Sequence, residues 1–399
     1  MLILKQKLHD TPTRMSAVEL PDWVISLAPS SEYIYASTAK GTIHQLPLNT
    51  TKWPVMKTIP AHAAPIHKLQ TDPVNDNILY SCSDDATVKI WDSRTPLTNS
   101  VNTLTNSRNL PFFSLDVNHG LISAGSQLKG TDSELVLWDL RKLDTTLRSF
   151  IDSHNDDITE TKFHPTLNNL LLSGSTDGLV NIYNLDIVEE DDALFQCINY
   201  NSVHSAGFLT PNRIYILSHM ETFGVFDLST QQEFNPEDGE TKGKINNDKD
   251  HGDIRSKWDC EYVVDLYAPG YIACGSNSKE VVKLYEFDPI KEDFLPKNRL
   301  WTFAGGHGDE IVRDIKVVNG VAYTAGEDNH IRAWNCDAKN TERWFFKEED
   351  DGSVEERMDI EYDARKKEKK EKKEKKKDKK GKKKTSTSSK NKKHRFKPY

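Results

Sequence analysis

Long apolar runs are missing from this sequence of 399 residues. Leu170 to Leu172 and Ile272 to Cys274 are typical of what it has, far short of the roughly 20 residues a membrane-crossing helix needs, so no membrane span is expected. Cysteine is sparse: Cys82, Cys197, Cys260, Cys274 and Cys336 are scattered and form no CxxC pair. That leaves neither the usual signature of a structural zinc site nor a disulfide framework. No G-x-S-x-G nucleophile elbow occurs, and no glycine-rich phosphate loop follows a strand and opens a helix. Metal, cofactor and catalysis are therefore not expected. The first ten residues, MLILKQKLHD, carry lysine early and lack a small-residue cleavage site, which argues against a secretory signal and for a protein that stays inside the cell.

Basic charge is scarce in most of the chain and concentrated at its end. Residues 365–399 hold 20 Lys or Arg and four acids, whereas residues 1–364 hold 33 and 57. An acidic body with a basic tail points to an interaction tail for nucleic acid, acidic proteins or a transport receptor.

What the body does have is an internal repeat. Three segments align: Ala61 to Asp92, Ser153 to Asn184 and Gly306 to Asn335. Each holds a small residue and His, an alternating apolar run, a second run ending in small residues, an Asp, and a third run ending in Trp or Tyr. His62 precedes Asp85 by 23 residues, His154 precedes Asp177 by 23, and His307 precedes Asp328 by 21. Six residues beyond each Asp stand Trp91, Tyr183 and Trp334, and four before it stand Ser81, Ser173 and Thr324. Such a set can form one hydrogen-bonded chain that satisfies the buried polar groups of a four-stranded unit.

At these residues the chain resembles the WD-repeat family of β-propellers. Ser153 to Leu194, and the stretch from GGHGDEIVRDIKV through GEDNHIRAW, are similar to the WD-repeat protein 89 family, with a likeness over most of residues 55 to 345. The resemblance implies a propeller with no known catalysis.

Weaker copies fill the gaps. Phe112 to Arg141 keeps Trp138 and has Asp132 six residues before it but no His; Val203 to Asp227 has Met220 at the Asp position, and Trp258 to Tyr285 has Lys279 there. Trp23 to Leu48 makes a first copy without either polar mark. Seven copies over 314 residues give about 45 each, the length of a propeller blade. The expected fold is all-β: a seven-bladed WD-repeat β-propeller over residues 1–347, with blades near 20–59, 60–104, 110–150, 153–196, 200–231, 258–303 and 306–347. A polar surface loop at 231–257, too polar to hold a strand, an acidic linker at 348–364 and a disordered basic tail at 365–399 complete the chain. The alternating LILKQKL at the start is expected to seal the ring, with RWFFKE from Arg343 as its competitor.

The Ser, His and Asp of each good repeat invite a triad reading, but their recurrence in three copies fits structural ties instead. Function in a propeller belongs to its loops. Trp23, Arg108, Asp156, Asp157, Trp258, Asp309 and Glu310 fall in the turns that converge on one face, where aromatic area and carboxylates suit a basic peptide; for the two tryptophans, blade packing is the competing reading. Arg94 and Arg141 sit in WDSR and WDLR, which match the WDxR pattern of propellers that dock on a ubiquitin-ligase adaptor. In the tail, Lys375, Lys376, Lys377, Lys379, Lys380, Lys382, Lys383 and Lys384, then Lys390, Lys392, Lys393 and Arg395, are dense clusters of the nuclear-localisation type, able also to attract RNA or DNA through phosphates. The expectation is a non-catalytic scaffold, monomeric within a larger complex, acting on other proteins in the nucleus or nucleolus and present also in the cytoplasm. Ribosome assembly and chromatin handling are the expected settings, and the alternative is a substrate receptor of a cullin-type ubiquitin ligase.

Overall fold

The computed structural model of the chain describes residues 9–48, 53–96, 98–131, 133–228, 247–292 and 300–346. The propeller unit ends at Phe346; the first eight residues, Asp132, the acidic linker and the whole lysine tail lie outside the described residues.

Seven antiparallel sheets follow one another along the chain. Blade one runs from Val24–Pro29 to Lys57–Pro60, blade two from Ile66–Thr71 to Asn102–Thr105, and blade three from Phe112–Asn118 to Arg148–Phe150. Blade four runs from Ile158–Phe163 to Leu194–Asn199, blade five from Val203–Thr210 to Lys249–Asp253, and blade six from Tyr262–Tyr267 to Leu300–Ala304. Blade seven takes Val312–Val318, Val321–Gly326 and His330–Asn335, and receives its outer strand, Thr13–Glu19, from the other end of the chain. The first strand of each blade is innermost and borders a central channel. We call upper the face that bears the turns leading into the first strands, and lower the opposite one.

The alternating runs form strands because each blade is buried on both faces by its neighbours. The second strands are the deepest in each sheet: Leu170–Ser175, Tyr271–Ser276 and Val321–Gly326 are apolar or small and buried at every residue. The core is correspondingly divided into seven clusters, one between each adjacent pair of blades. Small residues set how closely the blades approach. A Cβ on Gly125 would lie 2.4 Å from the Ile158 side chain of blade four, and one on Gly174 would lie 2.8 Å from Val203 of blade five.

Three expectations are corrected. The N-terminal segment does seal the ring, but with Thr13–Glu19 paired to His330–Asn335, and not with LILKQKL, which falls outside the described residues. His9–Asp10 adds a short parallel strand to the outer edge of blade six, so the chain start is stitched to two blades. The second correction concerns the polar loop: Lys249–Asp253 is the outer strand of blade five, paired with Thr222 to Val225, and Arg255–Trp258 follows as one helical turn. An outer strand has one edge in solvent and is held by backbone bonds, so polarity does not disqualify it. Third, RWFFKE does not compete for closure. Thr341 to Phe346 crosses the lower mouth of the channel as a strap: Thr341 N donates to Val317 O at 2.8 Å, Glu342 N to Ala268 O at 2.9 Å, and Arg343 to Asp116 Oδ1 at 3.0 Å. Phe345 packs on Tyr215 and Phe346 faces His164.

Polar ties also join blades. Asp116 accepts from Phe163 N of blade four and Asp314 from Leu27 N of blade one, both at 2.8 Å. His164 is completely buried. Its Nδ1 accepts from Leu167 N at 2.9 Å, which leaves the proton on Nε2 to be donated to Pro211 O of blade five at 3.0 Å. Burial pushes this imidazole down to about 4. Between that value and the ordinary 6.5 the unfolded chain binds the extra proton, so stability falls as pH drops through this window and the loss is complete below it. A His164→Asn variant is expected to flatten the decline in urea-unfolding free energy between pH 7 and 4 by about 3 kcal/mol; equal slopes in variant and parent would refute the assignment.

Candidate binding face

Three blades carry a complete polar chain. In blade two the Trp91 indole N–H donates to Ser81 Oγ at 2.9 Å, Ser81 lies 2.7 Å from His62 Nε2, and His62 Nδ1 lies 2.9 Å from Asp85. A single proton order satisfies all of it: indole to hydroxyl, hydroxyl to Nε2, Nδ1–H to carboxylate. Burial lowers the His62 pKa and keeps the ring neutral. Burial alone would raise the Asp85 carboxyl, but bonds from His62, Thr87 and Ala63 outweigh it and hold it well below the usual range. Blade seven repeats the pattern with Trp334 to Thr324 at 3.0 Å, His307 to Thr324 at 2.8 Å and His307 to Asp328 at 2.6 Å. In blade four His154 joins Ser173 at 2.7 Å and Asp177 at 3.0 Å, with the Tyr183 hydroxyl 3.4 Å from Ser173. Ser81, Ser173 and Thr324 are wholly buried, so none of these hydroxyls can meet a substrate.

The other blades use substitutes that the repeat pattern does not reveal. Blade one, read as lacking polar marks, runs Thr38 to Thr42 at 2.7 Å, Thr42 to His44 at 2.9 Å and His44 to Thr58 at 3.1 Å. Blade three buries Glu134, which accepts from Ser149 Oγ at 2.6 Å. In blade six Asp259 stands on the upper turn and binds Lys279 and, at 2.9 Å, Lys283; these two cations hold its carboxyl down to about 2. The acid and its cationic partners have exchanged sides relative to His62 and Asp85. A lysine two residues before the third-strand aromatic, Lys89 in blade two and Lys283 in blade six, was the available clue.

The upper mouth of the channel is built by one recurrent backbone device. Every first strand shifts register near its start, between Val24 and Ser26, Ile66 and Lys68, Phe112 and Ser114, Ile158 and Glu160, Val203 and Ser205, Val263 and Asp265, and Val312 and Asp314. A bulge re-aims the extra side chain. The seven extra residues, Ile25, His67, Phe113, Thr159, His204, Val264 and Arg313, all line one cavity of about 280 Å³. Neighbours fix them: His67 Nε2 meets Asp84 at 2.7 Å and its ring lies edge-on to Phe113 at 4.5 Å. Thr159 Oγ1 donates to Val203 O at 2.7 Å, His204 Nε2 to Val264 O at 2.9 Å, and Arg313 pairs with Glu327 at 2.7 Å.

Below this ring comes a tier made by the next residue of each strand, Ser26, Lys68, Ser114, Glu160, Ser205, Asp265 and Asp314. It holds three carboxylates against one ammonium. Glu160 keeps the Lys68 ammonium well above its usual pKa despite burial. Lys162 and Lys316, which salt-bridge to Glu160 and Asp314 at 3.0 Å, line the lower cavity of about 490 Å³ beside Arg343. Three carboxylates and three cations, Lys68, Arg313 and Lys316, thus line the upper cavity, and five carboxylates face four cations in the lower one.

The residues named from sequence fare unevenly. Trp258 is buried inside the blade five and six core, 2% exposed, so it offers nothing to a partner; packing claims it. Trp23 is 46% exposed on the upper face. Arg108, Asp309 and Glu310 are exposed and Asp156 half-buried, while Asp157 accepts from Leu128 N at 2.7 Å. None of these lines the mouth; they stand around it. On the lower face Arg94 and Arg141 each fork onto the Asp two residues earlier, Asp92 and Asp139, at 2.6 Å. Arg255 makes the same fork onto Asp253 with no Trp before it, which shows the fork to be local D-x-R geometry. Among the described residues no cluster of His, Cys, Asp or Glu can hold a metal, all five cysteines are free, and no helix is long and apolar enough to cross a membrane.

The WD domain, G-beta repeat family matches residues 53–92 and 145–184, which contain two of the three complete polar chains. An uncharacterized WD repeat-containing protein of Saccharomyces cerevisiae is 39% identical over 320 residues, covering 78% of each chain. This chain belongs to the WD-repeat proteins. A WD repeat-containing protein 89 homolog of Dictyostelium discoideum is 36% identical over 39% of this chain and 42% of its own, in line with the resemblance seen in the repeats. Among solved structures, the computationally designed Ika8 protein superposes with a TM-score of 0.56 at 17% identity, over 83% of this chain and 99% of its own; this is a likeness of fold alone.

The WD-repeat ties carry a stability prediction. Asp85→Ala or Asp177→Ala strips a buried imidazole of its partner and is expected to cost about 2–4 kcal/mol, read from the urea midpoint. Asp259→Ala removes an exposed carboxylate and should shift the midpoint less. An Asp259 variant as unstable as the other two would show that the reversed tie is equivalent.

Proposed function

We propose that this chain is a non-catalytic scaffold that holds a basic peptide at the upper mouth of its propeller. The observation that carries this reading is Asp265 in the tier beneath the bulge-built ring, which forms no salt bridge among the described residues, whereas its companions Glu160 and Asp314 are paired with Lys162 and Lys316. A Lys or Arg side chain reaching through the ring meets carboxylates in a partly desolvated setting, where charge attraction is stronger than in water. Phe113, Ile25 and Val264 supply apolar contact for its methylene stem. Asp156, Asp157, Asp309 and Glu310 around the mouth steer cations toward it.

The lysine clusters at Lys375 to Lys384 and Lys390 to Arg395 support a nuclear address read by an import receptor, with phosphate-driven affinity for RNA or DNA as a companion property. Ribosome assembly and chromatin handling are settings rich in basic protein tails, and both fit a carboxylate at the mouth. The second reading, an adaptor-docked receptor of a cullin-type ligase, draws on Arg94 and Arg141, which present the same exposed fork from adjacent blades of the lower face. Arg94→Glu with Arg141→Glu should abolish adaptor pull-down if it is right.

Two measurements test the main reading. A labelled lysine-rich peptide should bind the full chain with an affinity that falls steeply between 50 and 300 mM salt, on the order of tenfold or more, and Asp265→Asn should weaken it about tenfold; an affinity indifferent to both would exclude the site. Replacing the lysines of 375–384 by glutamine should move a tandem fluorescent-protein fusion out of the nucleus, and unchanged nuclear accumulation would remove the address.

A further inference from the structure

Most large apolar side chains exposed on this propeller stand singly, as expected of any soluble surface. Four do not. Ile151, Ile187, Val188 and Leu194 are all exposed, Val188 at 72%, and they come from two segments that are fastened together. The Arg148 guanidinium donates to Ile187 O at 2.7 Å, while Ile151 N and Asp152 N donate to the Glu190 carboxylate at 2.9 and 3.0 Å. The connection before the outer strand of blade four is thereby folded along the outer strand of blade three, Arg148–Phe150. The result is an aliphatic strip on the side of the disc, away from both mouths. Aliphatic side chains held exposed on two fastened segments mark a candidate interaction site.

Charge and backbone chemistry say what it takes. Asp186, Glu189, Asp191 and Asp192 lie exposed in the same connection, and residues 185–194 contain no Lys or Arg. A partner must therefore bring cations beside its apolar side chains. Glu190 already occupies the N–H groups of Ile151 and Asp152, just past the outer strand Arg148–Phe150, which leaves only a three-residue edge for strand addition. Recognition through side chains suits so short an edge, and a helix with one aliphatic stripe flanked by Lys or Arg brings both the apolar and the cationic groups.

We infer that the outer edge of blades three and four is a second docking surface, taking a basic amphipathic helix of a partner protein. It is independent of the upper mouth, and either can fail without the other.

The test uses the full chain and a fluorescein-labelled 18-residue helix of leucine and lysine with its leucines on one stripe, beside the same composition scrambled so that the stripe is lost. Fluorescence anisotropy is expected to give at least tenfold tighter binding for the striped peptide. Ile187→Ser with Val188→Ser, and separately Asp191→Lys with Asp192→Lys, should each weaken it tenfold or more. Val74→Ser with Ile290→Ser removes two aliphatics exposed elsewhere at 94% and 85% and should change nothing. All of these positions are exposed, so matching thermal melts will certify the fold. Equal binding of the two peptides, an unaffected strip variant, or an equal loss in the Val74 and Ile290 control would overturn the inference. So would sedimentation showing that the strip instead pairs two copies of this chain.

Discussion

Ring closure is the constraint on which everything else rests. Seven sheets laid around an axis leave two raw edges unless one blade is made from both ends of the chain, and here Thr13–Glu19 completes the sheet begun by Val312–Val318. Only in a closed ring does every sheet have a neighbour on each face. The seven inter-blade clusters and the wholly buried second strands follow from that condition. The parallel pairing of His9 with Leu300 and Asp10 with Trp301 adds a second hold on the same chain end, so the seam does not depend on one sheet.

Closure creates a cost as well, because turns and strand ends are buried where blades meet. The complete His–Ser/Thr–Asp chains of blades two, four and seven meet it one way; Thr38–Thr42–His44, Glu134 and Asp259–Lys283 meet it by others. The common requirement is satisfaction of buried donors and acceptors, and several residue sets fulfil it. That is why family membership is plain in three blades and faint in four, although the four share the same backbone arrangement.

This explains what was legible in the sequence. The fold was, because an alternating run, a small-residue run and a spacing of six from Asp to aromatic repeat along one dimension. The closing strand was half legible: the correct chain end was identified, but Thr13–Glu19 reads as polar because one of its faces meets solvent, while LILKQKL alternates more cleanly. Lys249–Asp253 was missed for the same reason. Trp258 was ambiguous, since an aromatic before a first strand can fill a core or face a partner, and only the packing of Phe223, Phe287 and Tyr285 around it decides. The mouth was illegible. A bulge leaves no residue signature in these strands, where His67, Phe113, Thr159 and Arg313 look like ordinary members of an alternating run, and the acids of the tier below become neighbours only when seven distant segments converge.

The bulges separate two kinds of information that most binding sites entangle. Backbone register alone decides that one side chain per vane is turned toward the axle, and nothing in that decision depends on which side chain it is. The positions can therefore be respelled one letter at a time while the ties outside them stay intact. A fold of this kind can keep its architecture through long divergence and still change the ligand it reads.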